Sequence, residues 1–136
     1  MEIDGKCHCG AIRYVAQVNP DEVIICHCTD CQTLSGAPYR ISVAAPIREL
    51  RVIGDPRAYC KCADSGREVT TTFCPDCGTS LWSHGEGRDF VFLRTGSITQ
   101  RADLPPTKQG FCRSAAPWAM DIRAIPRVPP PPRIDG

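Results

Sequence analysis

A chain of 136 residues is long enough for one domain with its own core and too short for two of ordinary size. With 42% hydrophobic and 23% charged residues its composition is globular, and no apolar run approaches the roughly 20 residues of a membrane helix. The formal charge of +1, with basic residues scattered along the chain, gives a phosphate backbone little to hold, so neither nucleic acid nor a membrane is an expected partner.

The opening residues, Met1 to Lys6, lack the charged-then-apolar plan of a signal peptide, which predicts a cytoplasmic location. Gly5-Lys6-Cys7-His8-Cys9-Gly10 carries the first C-x-C. Residues 11–16 alternate as a half-buried strand does, with Ile12, Tyr14 and Ala16 on one side, and Asn19-Pro20-Asp21 marks a turn. The apolar residues 23–25 lead a buried strand into Cys26-His27-Cys28-Thr29-Asp30-Cys31, and residues 29–34 predict a single helical turn ended by Ser35-Gly36. Residues 39–44 and 49–53 predict two more strands, the second stopped by Gly54-Asp55-Pro56.

Cys60-Lys61-Cys62 and a polar loop at 63–66 follow. Residues 68–73, rich in β-branched side chains, run as a strand into Cys74-Pro75-Asp76-Cys77-Gly78, and residues 80–83 and 90–93 are two further strands. Beyond Gly96 the segments around Leu104 and Trp118 are irregular, and Trp82, Phe90, Phe92 and Trp118 are expected in the core. The four consecutive prolines 129–132 predict an extended polyproline arm, which sets a domain at 1–124 and a tail at 125–136. The expected fold class is all-β, one domain of short antiparallel strands.

Nine of the ten cysteines stand in C-x-C and C-x-x-C spacings, which, in a chain expected to remain in a reducing compartment, point to metal rather than to a disulfide framework. Tetrahedral zinc takes four ligands, and the pairs can be grouped in two ways. Cys7 and Cys9 join Cys74 and Cys77 in a closed four-sulfur site, or Cys60 and Cys62 join Cys74 and Cys77 in a local ribbon; spacing leaves both open. Cys26 and Cys28, two apart on a strand, face the same way, and Cys28-x-x-Cys31 returns a third sulfur to the same ion. Three sulfurs leave one corner for a substrate, the mark of a reactive zinc, unless His8, His84 or Cys112 closes it; His27, between two ligands, points away. Two zinc ions per chain are expected. Seven thiolates subtract seven charges and two zinc ions add four, which takes +1 to −2.

The three motifs Gly5 to Gly10, Cys26 to Cys31 and Phe73-Cys74-Pro75-Asp76-Cys77-Gly78, in this order, resemble the glutathione-dependent formaldehyde-activating enzyme family over roughly residues 3–120. The resemblance implies a zinc-stabilised β-tent-like fold. It also implies a structural zinc on Cys7, Cys9, Cys74 and Cys77 and a catalytic zinc on Cys26, Cys28 and Cys31. It implies a carbon–sulfur lyase, of the S-(hydroxymethyl)glutathione synthase kind, that joins or cleaves a glutathione thiol and an aldehyde carbon. The partners are then a small-molecule thiol and an aldehyde, or their adduct. Two features depart from the family pattern: Gln109 stands where many members carry a histidine, and Cys60 and Cys62 are additional. The alternative expectation is a zinc-stabilised binding module of the same fold without catalysis.

Overall fold

A computed structural model of the chain describes residues 1–63 and 65–134. Asp64 of the polar loop, and Asp135 and Gly136 of the tail, lie outside the described residues. In chain order the strands are β1 Glu2–Lys6, β2 Arg13–Gln17, β3 Val23–Cys26, β4 Arg40–Pro46, β5 Arg51–Ile53, β6 Arg57–Cys62, β7 Glu68–Phe73, β8 Ser80–Gly85, β9 Phe90–Arg94 and β10 Lys108–Gly110. The α-helix α1 spans Thr29–Ser35, between β3 and β4. The mainly-β architecture expected from the sequence is the observed one.

Two sheets carry the fold. The smaller has the order β1-β2-β5, and the larger β10-β3-β4-β9-β8-β7-β6. Neighbours in both are antiparallel, with one exception: the short β10 lies parallel to β3, so that Gly110 sits beside Cys26. Strict alternation in β1 and β2 buries Ile3 and Gly5 against Ala16 and Tyr14 and leaves the other face to solvent. The larger sheet answers with Val23, Val43, Ala45, Val91 and Leu93, and Ile98 and Leu104 close the core from the chain beyond β9. Burying a side chain of this size contributes about 1.5–3 kcal/mol, which outweighs the weak intrinsic pairing of such short strands.

Tyr14 fastens the two sheets. Its ring lies so close over Gly5 that a Cβ there would meet the Tyr14 Cζ at 2.2 Å, so glycine alone fits this position. The ring meets Trp82 of β8 edge-on at 5.9 Å, and its hydroxyl lies 2.6 Å from Ser97 Oγ. Ser97 donates its own proton to Arg94 O (2.9 Å), so the Tyr14 hydroxyl is the donor in this pair.

Several elements differ from the sequence reading. β1, β6 and β10 form where no strand was expected. β10 is Lys-Gln-Gly, poor in strand-forming side chains, and its backbone is held by position: Thr107 Oγ1 bonds Asp21 O at 2.8 Å and Val23 O at 3.0 Å. β6 is the exposed edge of the large sheet, where lysine and arginine replace the apolar pattern by which strands are recognised. Trp118, expected in the core, is 60% exposed in the 3-10 turn Pro117–Met120, whereas Trp82 is buried and Phe90 and Phe92 are half-buried. Residues 126–134 are exposed and hold no helix or strand. Among the described residues, no helix is long and apolar enough to cross a membrane.

Burial of Tyr14 raises its phenol from 10 to about 12, a nearby Asp4 charge adds to this, and the Ser97 contact opposes it. The folded state therefore holds this proton more tightly than the unfolded chain. Its contribution is complete below pH 10 and is lost as pH rises through 12. Two pKa units correspond to on the order of 2–3 kcal/mol. Urea unfolding measured between pH 9 and 12 should show that decline in the wild type, and Tyr14→Phe should flatten it.

Candidate metal centre

The four-sulfur group is built by two loops, one from each sheet. After β1 the chain turns at Cys7–Gly10, where Gly10 N–H donates to Cys7 O (3.1 Å) with φ +81°. After β7 it turns at Cys74–Gly78, where Gly78 N–H donates to Cys74 O (2.8 Å) with φ +76°. Both turns close in the left-handed region, which glycine enters without strain, and each folds its second cysteine back beside the first. The Cys7 and Cys9 sulfurs are 3.6 Å apart, those of Cys9 and Cys74 3.8 Å, and all four lie within 4.8 Å of one another. With Zn–S bonds of about 2.3 Å, the edge of a tetrahedron is about 3.8 Å, so the donor set fits zinc in number, kind and spacing.

Hydrogen bonds already favour thiolates here. Ile12 N–H points at Cys7 Sγ (3.2 Å), and the Thr79 hydroxyl accepts from His8 N–H (3.0 Å) and donates to Cys77 Sγ (3.1 Å). The Thr79 bond, with backbone N–H groups of Cys9 and Thr79, pulls the Cys77 thiol down to about 5. Cys9 moves the other way: the Ala11 N–H favours its thiolate, but Cys7, burial and the remaining sulfurs push it up to about 12. Four crowded sulfurs cannot all hold charge by themselves; a cation at their centre allows it.

The three-sulfur group sits where β3 passes into α1. Cys26 is the last residue of β3, Cys28 is the N-cap of α1 and accepts from Cys31 N–H (3.3 Å), and Cys31 is buried in the first turn. Their sulfurs lie within 4.8 Å of one another, and among the described residues no histidine, carboxylate or further cysteine completes the group. The hydrogen bond from Cys31, then a Cys28 N–H and Sγ and the Arg40 charge, pull Cys26 down to about 5 against burial. The same Cys26 contact, with burial, pushes Cys31 up.

His27 faces the opposite side, as its place between two cysteines predicts. It is fully buried, edge-on to Tyr39 at 5.4 Å, with Nε2 2.7 Å from Gln109 Oε1. Gln109 thereby joins β10 to the stretch that carries the sulfurs. Gln32 does the same from the helix, donating to His27 O (2.8 Å) and to Ser114 O (3.0 Å). Lys61 of β6 pairs with Asp30 and ties the helix to the far edge strand. Beside Cys26 across the β3–β4 pair is Arg40, and Arg94 lies on the same face, 6% exposed.

The other candidates stay apart. Cys60, Cys62 and Cys112 are exposed and belong to neither group, and the ribbon of Cys60 and Cys62 with Cys74 and Cys77 does not assemble. His84 Nε2 lies 2.7 Å from Arg88 O, and His8 is exposed. Thr79, Gln32 and Arg94 had no signal in the sequence, since their partners His8, Ser114 and Ser42 stand 71, 82 and 52 residues away. Gln109 alone was visible, as the residue that replaces a histidine.

The family model for the glutathione-dependent formaldehyde-activating enzyme matches residues 2–114. The chain belongs to this family. A Halomonas elongata protein that bears the family's name is 30% identical over 87 residues, which cover 60% of this chain and 55% of that protein. The match thus spans about half the length of this curated relative. A crystal structure of a Rhodobacter sphaeroides protein aligns with a TM-score of 0.63 at 18% identity, covering 79% of this chain and 99% of that one, and shows that the fold is shared.

The two groups should answer differently to loss of one sulfur. Cys74→Ser removes a buried member that joins the sheets, and should lower solubility and thermal stability by several kcal/mol of folding free energy. Cys28→Ser, at a half-buried position with no part in joining the sheets, should change the melting temperature little. Thermal unfolding of both variants beside the zinc-loaded wild type measures the difference.

Proposed function

We propose that this chain is a zinc-dependent carbon–sulfur lyase that joins a glutathione thiol to an aldehyde carbon, or cleaves their adduct. The observation that carries the reading is the incomplete group of Cys26, Cys28 and Cys31, which offers three ligands where zinc accepts four. Zinc held there supplies a Lewis acid that keeps a substrate thiol deprotonated at neutral pH and fixes its position.

The chain supplies the frame around that chemistry. β3 and α1 present the three sulfurs from adjacent backbone, and the Cys31 N–H stabilises the charge on Cys28 Sγ. Burial of Cys31 keeps water from one side, while half-buried Cys26 and Cys28 leave the other side open to an incoming thiol. In the joining direction a sulfur–carbon bond forms, the carbonyl π pair moves to oxygen, and the proton lost by the thiol ends on that oxygen. Cleavage reverses each of these changes. Cys7, Cys9, Cys74 and Cys77 take no part and hold a second, structural zinc.

Elemental analysis of the wild type should give two zinc ions per chain, and of Cys28→Ser one. NMR of formaldehyde mixed with glutathione should show adduct formation above the spontaneous rate with the wild type and at the spontaneous rate with Cys28→Ser. A wild type with one tightly held zinc, with Cys26, Cys28 and Cys31 open to alkylation, would be the binding module instead.

A further inference from the structure

The outer face of the large sheet holds two arginines, each with one buried terminal nitrogen that meets no acceptor. Cys26 pairs with Arg40 across β3 and β4, and Ser42 pairs with Arg94 across β4 and β9. Residues two apart on a strand share a face, so Cys26, Arg40, Ser42 and Arg94 all project to one side. Arg94 is spent only in part: Nη1 donates to Ser42 Oγ (3.0 Å) and Phe92 O (3.0 Å), and Nε donates to Ser80 Oγ (3.4 Å). Arg94 Nη2 and Arg40 Nη1 are buried without an acceptor, and among the described residues neither arginine pairs with a carboxylate. Both line one cavity of about 370 Å³ with Tyr39, Ser35, Ser80 and Thr95, at the end of α1 away from Cys28.

Buried guanidinium groups are ordinarily paired, because an unmet N–H away from water is costly and two like charges add to the cost. The sulfurs do not settle the account. Three thiolates around a divalent ion sum to −1, against +2 on the arginines, which leaves one positive charge over. A guanidinium offers two parallel N–H groups, the fork that matches a carboxylate.

We propose that Arg40 and Arg94 form a carboxylate subsite beside the three sulfurs, through which the chain selects a thiol that carries a carboxylate. The inference rests on the thiol reading above and names the group on the thiol that is recognised. The competing role for the arginines is to offset the thiolate charge alone.

Calorimetric titration of the zinc-loaded full chain with three probes separates these. Glutathione carries both thiol and carboxylates, S-methylglutathione keeps the carboxylates with the sulfur blocked, and glutathione diethyl ester keeps the thiol with the carboxylates masked. The wild type should bind glutathione at least tenfold more tightly than the diester. Arg94→Gln and Arg40→Gln should weaken glutathione and S-methylglutathione about 10- to 100-fold, leave the diester unchanged, and retain two zinc ions. Equal wild-type affinity for glutathione and the diester overturns the subsite, as does equal weakening of all three probes by the variants. Should Arg94→Gln fail to fold, the less buried Arg40→Gln and the wild-type comparison decide. Arginine-dependent binding of S-methylglutathione with no gain from a free thiol would uphold the subsite and sink the lyase reading. A free-thiol gain indifferent to the carboxylates would do the reverse.

Discussion

Sulfurs held 3.6 to 3.8 Å apart set the terms for this structure. At that distance one ionised thiol opposes the ionisation of the next, so a crowded group is at rest only around a cation. The four-sulfur group applies this constraint where it binds the most chain. One half comes from the loop after β1 of the small sheet, the other from the loop between β7 and β8 of the large sheet. With the Tyr14–Trp82 contact it gives the two sheets a pair of fastenings, which matters where the one α-helix among the described residues has seven residues.

The three-sulfur group is made differently and looks outward. Its ligands lie on contiguous backbone, and distant chain serves to brace that backbone. Ser114, through its bond with Gln32, reaches it from the chain just after β10, Gln109 from β10 itself and Lys61, through Asp30, from β6. The face that carries Cys26 also carries Arg40 and Arg94, so positive charge stands beside the sulfurs. Rigid ligands, a braced frame and charge beside them meet at one end of the large sheet.

Much of this was legible in the sequence because it is local. Alternation marked β2, β-branched side chains marked β7, and the C-x-C and C-x-x-C spacings marked the cysteine pairs that share an ion site. His27 could be set aside from the period of a strand alone. What stayed hidden was long-range. β10 has no strand-forming residues and is held against β3 by Thr107; Trp118 carries an apolar side chain that stays 60% exposed. Whether Cys74 and Cys77 joined Cys7 or Cys60 depended on sheet topology, which spacing does not encode. Arg40 and Arg94 acquire meaning only once β3, β4 and β9 are aligned side by side.

The contrast between contiguous and distant ligands bears on how the chain acquires its metal. Cys26, Cys28 and Cys31 are together as soon as residue 31 leaves the ribosome, whereas Cys7 and Cys9 must wait for Cys74 and a loop closure of 65 residues. An ion offered early would therefore meet the contiguous trio before the four-sulfur group exists. Local assembly would thus precede long-range assembly, and chains made where the ion is scarce would be left without the group that spans the two sheets.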